Sequence, residues 1–65
     1  MKLIINGEAC EVASSTLAAL LDELDYEHEF LATARNNDLV AAEDRLACQL
    51  EEGDRIEILS PMQGG

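Results

Sequence analysis

Few residues in this chain have the chemistry to act on another molecule: Cys10, Cys48, His28 and the closing run Ser60-Pro61-Met62-Gln63-Gly64-Gly65. Two cysteines at irregular positions make neither a disulfide framework nor a zinc site, which takes four ligands. A nucleophilic thiolate needs a basic neighbourhood, whereas the charged residues near Cys48 are mostly acidic and Cys10 reads as a small core residue. His28 sits between Glu27 and Glu29 with no second histidine to join it, the setting of an exposed loop residue. The paired glycines at 64 and 65 are different. A carboxylate that must pass down a narrow channel tolerates no side chain, and glycine permits that close backbone approach. The terminal carboxylate is then the reactive group, and no side chain of the chain need do acid–base work.

Pro61 cannot donate to a sheet ladder, so regular pairing should stop there. The expected division is a domain over residues 1–60 and a flexible tail over 61–65. Fully extended, Pro61 to Gly65 would reach roughly 16–18 Å, enough to enter a pocket on another protein.

The elements that must carry such a tail are legible in outline. Met1, Leu3 and Ile5 alternate onto one face, and Asn6-Gly7 before Glu8–Val12 signals a two-residue hairpin turn. Cys10 and Val12 then share the inner face. Ser14-Ser15-Thr16 marks a helix start, and Leu17, Leu20, Leu21 and Leu24 form an apolar stripe, with Asp22 and Glu23 on the wet side. Asp25–Glu29 ends that helix. Phe30–Arg35 alternates weakly, Asn36-Asn37-Asp38 is a second turn cluster, and Leu39-Val40 is a short return strand. A single helical turn is expected at Glu43–Leu46, with Leu46 and Leu50 as core contacts. Glu52-Gly53-Asp54 turns into a final strand, where Ile56 and Ile58 alternate with Arg55, Glu57 and Leu59. Strand, strand, helix, strand, short strand, strand is an α+β order.

Composition narrows the function classes. Sixty-five residues allow one small domain, too little for a substrate pocket and a nucleotide site together. An apolar fraction of 48% with 28% charged residues excludes a disordered tail or a collagen-like repeat. Four Lys plus Arg against fourteen Asp plus Glu give a formal charge of -10. Nucleic acid and anionic membrane are therefore poor partners, and a positively charged groove on another protein is the natural complement. With no membrane span or signal peptide in the sequence, the expected location is the cytoplasm. An enzyme in its own right is the least expected reading, and a carrier acted on by partner enzymes is preferred.

The hairpin Met1–Val12, Thr16-Leu17 opening a leucine helix, Gly53-Asp54-Arg55-Ile56-Glu57-Ile58 and the terminal Gly64-Gly65 together resemble the ThiS family of sulfur carriers, end to end. The resemblance implies a ubiquitin-like β-grasp domain: a mixed sheet with one main helix on one face and a C-terminal Gly-Gly tail. It implies that an E1-like enzyme of the ThiF type adenylates the Gly65 carboxylate with MgATP, no cofactor being bound by the chain itself. A cysteine desulfurase or rhodanese-type donor would then supply persulfide sulfur, and a ThiG-type thiazole synthase would accept it from the thiocarboxylate in thiamin synthesis. The logic is sound chemistry: a carboxylate is a poor electrophile, an acyl-adenylate carries a good leaving group, and a sulfur nucleophile can attack it. Family members often carry Asn-Gly after the third strand where this chain has Asn36-Asn37. Asparagine also accepts positive φ, so the turn should survive.

On that fold Met62, Gln63 and Gly64 are the tail-recognition residues beside Gly65. The sheet face opposite the helix would present Ile4, Leu59 and Thr33 as a docking patch, with Glu8, Glu11, Asp54 and Glu57 as an acidic rim. Other readings of the same features are a MoaD-like or cysteine-synthesis sulfur carrier, a ubiquitin-like protein modifier, or an interaction module with an inert tail.

Overall fold

The structure is a computed structural model, and it describes residues 1–60 of the chain. Strand β1 (Lys2–Ile5) turns into β2 (Glu8–Glu11), followed by helix α1 (Leu17–Glu23), β3 (Ala32–Arg35), β4 (Asp38–Val40), a 3-10 turn at Ala42–Asp44, and β5 (Arg55–Leu59). The strands form one sheet in the order β2-β1-β5-β3-β4. The last strand lies in the middle, parallel to β1 and antiparallel to β3. Burying the final strand between the two hairpins places Leu59 and Ser60 at one end of the central strand.

Both hairpins turn for the reason their sequences announce. Asn6 and Gly7 adopt φ of 50° and 86°, and Asn36 and Asn37 adopt 51° and 72°. A two-residue loop whose central residues both have positive φ matches the twist of the flanking strands. Asparagine at the second position serves where glycine is commoner, because its short polar side chain tolerates the left-handed region.

Helix α1 begins at the Thr16 cap, whose hydroxyl accepts from the Ala19 N–H at 3.2 Å. The exposed Glu23 carboxylate reaches back to accept from the Ala13 and Ser14 N–H groups and the Ser14 hydroxyl. These bonds hold its pKa below the usual carboxylate range, the Ser14 hydroxyl contributing most. The helix thereby clamps the chain that enters it. Leu17, Leu20 and Leu21 are fully buried, and Leu3, Ile5, Val12, Leu50, Ile56 and Ile58 complete the core, with Leu24 half-buried at its edge. No helix among the described residues is long and apolar enough to cross a membrane.

Three local expectations change. β3 begins at Ala32 rather than Phe30, because Phe30 has φ of 63° and cannot extend the strand. Leu46 is 76% exposed rather than a core contact. The 3-10 turn instead aims its neighbour Arg45 inward, where it is 4% exposed. Its guanidinium donates to the Thr33 hydroxyl at 3.1 Å, the His28 carbonyl at 3.0 Å and the Leu31 carbonyl at 2.9 Å. A planar fork with several donors suits acceptors spread over two segments.

Asp54 is also inside, not on an acidic rim. Its carboxylate accepts from Arg35 Nε at 2.6 Å, Asn36 Nδ2 at 3.0 Å and the Glu51 N–H at 2.8 Å. Burial opposes its charge, but these donors outweigh burial and hold its pKa below the usual value. A carboxyl with a lowered folded pKa contributes stability above its unfolded pKa of about 3.9, and that contribution is lost as pH falls through the folded value. Asp54→Asn should therefore be less stable than the parent chain at pH 7, with the gap closing below about pH 4. Urea melts at both pH values read the two gaps directly.

Candidate functional site

The face of the sheet away from α1 is set by strand parity. Ile5, Ile56, Ile58 and Leu3 point to the helix, so Ile4, Glu57, Leu59, Ala32, Ala34 and Leu39 take the other side. The registers place them together: Ala9 faces Ile4 across β1–β2, Glu57 faces Ala34 and Leu59 faces Ala32 across β3–β5, and Ala34 faces Leu39 across β3–β4. Leu59 is 66% exposed and Leu39 is 85% exposed. The alanines between them leave two leucine side chains standing above a low apolar floor.

Two of the three expected docking residues, Ile4 and Leu59, lie on this face. Thr33 does not. It is 2% exposed, opposite Ile58 on the helix side, and its hydroxyl donates to the Val40 carbonyl at 2.8 Å while accepting from Arg45. The neighbours Ala32 and Ala34 take the open face in its place. Leu39 was not singled out by the sequence, although a two-residue turn at Asn36-Asn37 pairs Leu39 with Ala34 and so assigns both to one face.

Glu57 is exposed on the same face between β1 and β3, and Glu8 and Glu11 lie exposed on β2. Near the end of β5, Asp25, Tyr26, Glu27, Glu29, Phe30 and Leu31 line a shallow groove with Ser60. Three carboxylates and two aromatic rings thus border Ser60, the last of the described residues. Gly65, Gly64, Gln63 and Met62 lie outside the described residues.

The other candidate groups have structural surroundings. Cys10 and Cys48 are half-buried free thiols packed against the core. His28 is exposed and pairs with Asp22 at 2.7 Å. Among the described residues, no group of three or more His, Cys, Asp or Glu side chains is gathered to hold a metal.

Comparison with known proteins agrees with this architecture. The ThiS family model matches residues 3–65. The crystal structure of a thiamine biosynthesis protein (ThiS) from Geobacter metallireducens superposes with a TM-score of 0.85, covering all of both chains at 28% identity. An NMR solution structure of a thiamine biosynthesis protein from the same organism gives 0.82, covering all of this chain and 88% of that one. The chain is also 38% identical over 66 residues to a thiazole synthase from Paramagnetospirillum magneticum, matching along its whole length but spanning only 20% of that protein. The fold is thus the β-grasp, one helix held in a five-stranded mixed sheet, and the chain belongs to the ThiS family of ubiquitin-like sulfur carriers.

Proposed function

We propose that the chain carries sulfur for thiamin biosynthesis on its Gly65 carboxylate. A ThiF-type enzyme forms the acyl-adenylate from MgATP with loss of pyrophosphate. The outer sulfur of a persulfide, delivered by a cysteine desulfurase or rhodanese-type donor, then displaces AMP to give an acyl disulfide. A thiol cleaves its S–S bond, leaving as a disulfide with the donor cysteine, and the thiocarboxylate so released gives its sulfur to a thiazole synthase of the ThiG type. The observation that carries this reading is the family match, which runs through Gly64 and Gly65 at residue 65. The similarity to a thiazole synthase, of which this chain resembles one fifth, supports the choice of acceptor.

The rest of the chain supplies geometry. Ile4 and Leu59, joined by Ala34 and Leu39, form the surface that seats the adenylating enzyme, with Met62, Gln63 and Gly64 leading Gly65 to its nucleotide. Burial of apolar side chains in such a seat favours association at roughly 25 cal/mol per Å² before ordering costs are subtracted. The excess negative charge of -10 steers the carrier toward a basic groove and makes the encounter faster at low salt.

Intact-mass measurement tests the reading. After incubation with a ThiF-type enzyme, MgATP, a persulfide donor and a thiol reductant, the chain should gain the mass of one sulfur in exchange for one oxygen. The gain should be slower in Gly65→Ala and absent when Gly65 is removed, while the melting temperature of Gly65→Ala stays at the parent value. An unaltered mass with an enzyme active on its own carrier would overturn the assignment. Adducts joined to lysines of other proteins would show a modifier instead.

A further inference from the structure

Strand β1 is too short to pair with the whole of β5. Their parallel register covers only Ile4 opposite Arg55 and Ile5 opposite Ile56. Along this flank the Ile4 N–H donates to the Asp54 carbonyl and the Asn6 N–H to the Ile56 carbonyl, both at 2.9 Å. The backbone then turns away through Asn6 and Gly7, so the next peptide groups on β5, those of Ile58, face no strand. The Asn6 side chain takes that place. Its Nδ2 donates to the Ile58 carbonyl at 3.1 Å, and its Oδ1 accepts from the Ile58 N–H at 2.8 Å. A carboxamide offers the same donor and acceptor as a peptide unit, and the ladder gains one more rung without a strand to make it.

We infer that Asn6 is a positioning residue for sulfur loading, fixing the end of β5 from which residues 61–65 continue. The inference rests on the reading of Gly65 as the reacting group. On the other flank Leu59 is held opposite Ala32, so the Asn6 bonds leave β5 tied on both sides to within two residues of Ser60. A segment that must be ordered in a partner's channel costs less to bind when the point it departs from is already fixed. Asparagine suits both tasks at this position. Glycine would satisfy the positive φ but leave Ile58 unpaired, and aspartate would set an anionic oxygen against the Ile58 carbonyl.

Two variants, Asn6→Gly and Asn6→Asp, test this, the first keeping the turn and the second keeping one acceptor. Amide hydrogen exchange at Ile58 should accelerate by at least about tenfold relative to Ile56 in Asn6→Gly. In adenylation by a ThiF-type enzyme with MgATP, KM for the carrier should rise about three- to tenfold while kcat stays within about twofold, because a seated tail is held by the enzyme itself. Asn6→Asp should shift both readouts in the same direction. A merely structural role lowers the melting temperature without moving KM while the chain remains folded. Unchanged exchange at Ile58, or faster exchange with an unchanged KM, would overturn the inference. A parent chain that is not adenylated at all would overturn the carrier reading, and the inference with it, whatever the exchange at Ile58.

Discussion

Leu20→Ala is expected to cost about 2–5 kcal/mol of folding stability, because a fully buried leucine loses its transfer energy and leaves a cavity that its surroundings only partly close. Leu20 has no exposed surface, and Leu17 and Leu21 beside it are equally enclosed. A chain of this length has a total stability of about 3–10 kcal/mol, so the substitution removes a large share of it. Urea unfolding should show the midpoint falling steeply with little change in slope. Ala19→Ser on the exposed side of the same helix should change stability by no more than about 0.5 kcal/mol. A parent-like midpoint for Leu20→Ala would mean that α1 does not bury this face.

The contrast between Leu20 and Thr33 explains what the sequence made legible. The leucine spacing in α1 differs so sharply from its Asp22 and Glu23 flank that only one rotation of the helix buries it. Met1, Leu3 and Ile5 set the parity of β1 in the same way, and the Asn-Gly and Asn-Asn turns set the hairpins through backbone sterics alone. β3 carries no such contrast: Ala32, Thr33 and Ala34 differ little in polarity, and a shift of one residue exchanges their faces. What selects Thr33 for the interior is Arg45, twelve residues further on, which needs its hydroxyl as an acceptor. Asp54 was misplaced for the same reason. Its partners Arg35 and Asn36 lie 19 and 18 residues away, and a lone acidic residue after Gly53 gives no sign of them. Of the candidate site, Ile4 and Leu59 were readable because β1 and β5 alternate cleanly. Leu39 required the β3 parity that the sequence left open.

Removing Gly64 and Gly65 is expected to abolish sulfur loading while leaving the domain folded. The truncated chain would still end in a carboxylate, on Gln63, so the functional group itself is not lost. It is displaced. Two residues of extended chain span about 7 Å, whereas reacting atoms must come within about 3–3.5 Å of each other. A misplacement of about 1 Å can already cost a hundredfold, so a shortfall of this size should take adenylation below detection even at saturating carrier. The core among the described residues runs from Leu3 to Ile58, and the melting temperature should therefore remain near the parent value. Binding to the adenylating enzyme, measured by calorimetry, should persist through Ile4, Ala34, Leu39 and Leu59, and Leu59→Asp in the full-length chain should weaken it instead. The two variants separate docking from chemistry: one should bind without reacting, and the other should react, but only at higher carrier concentration. Sulfur loading of the truncated chain at the parent rate would place the reacting group elsewhere in the protein.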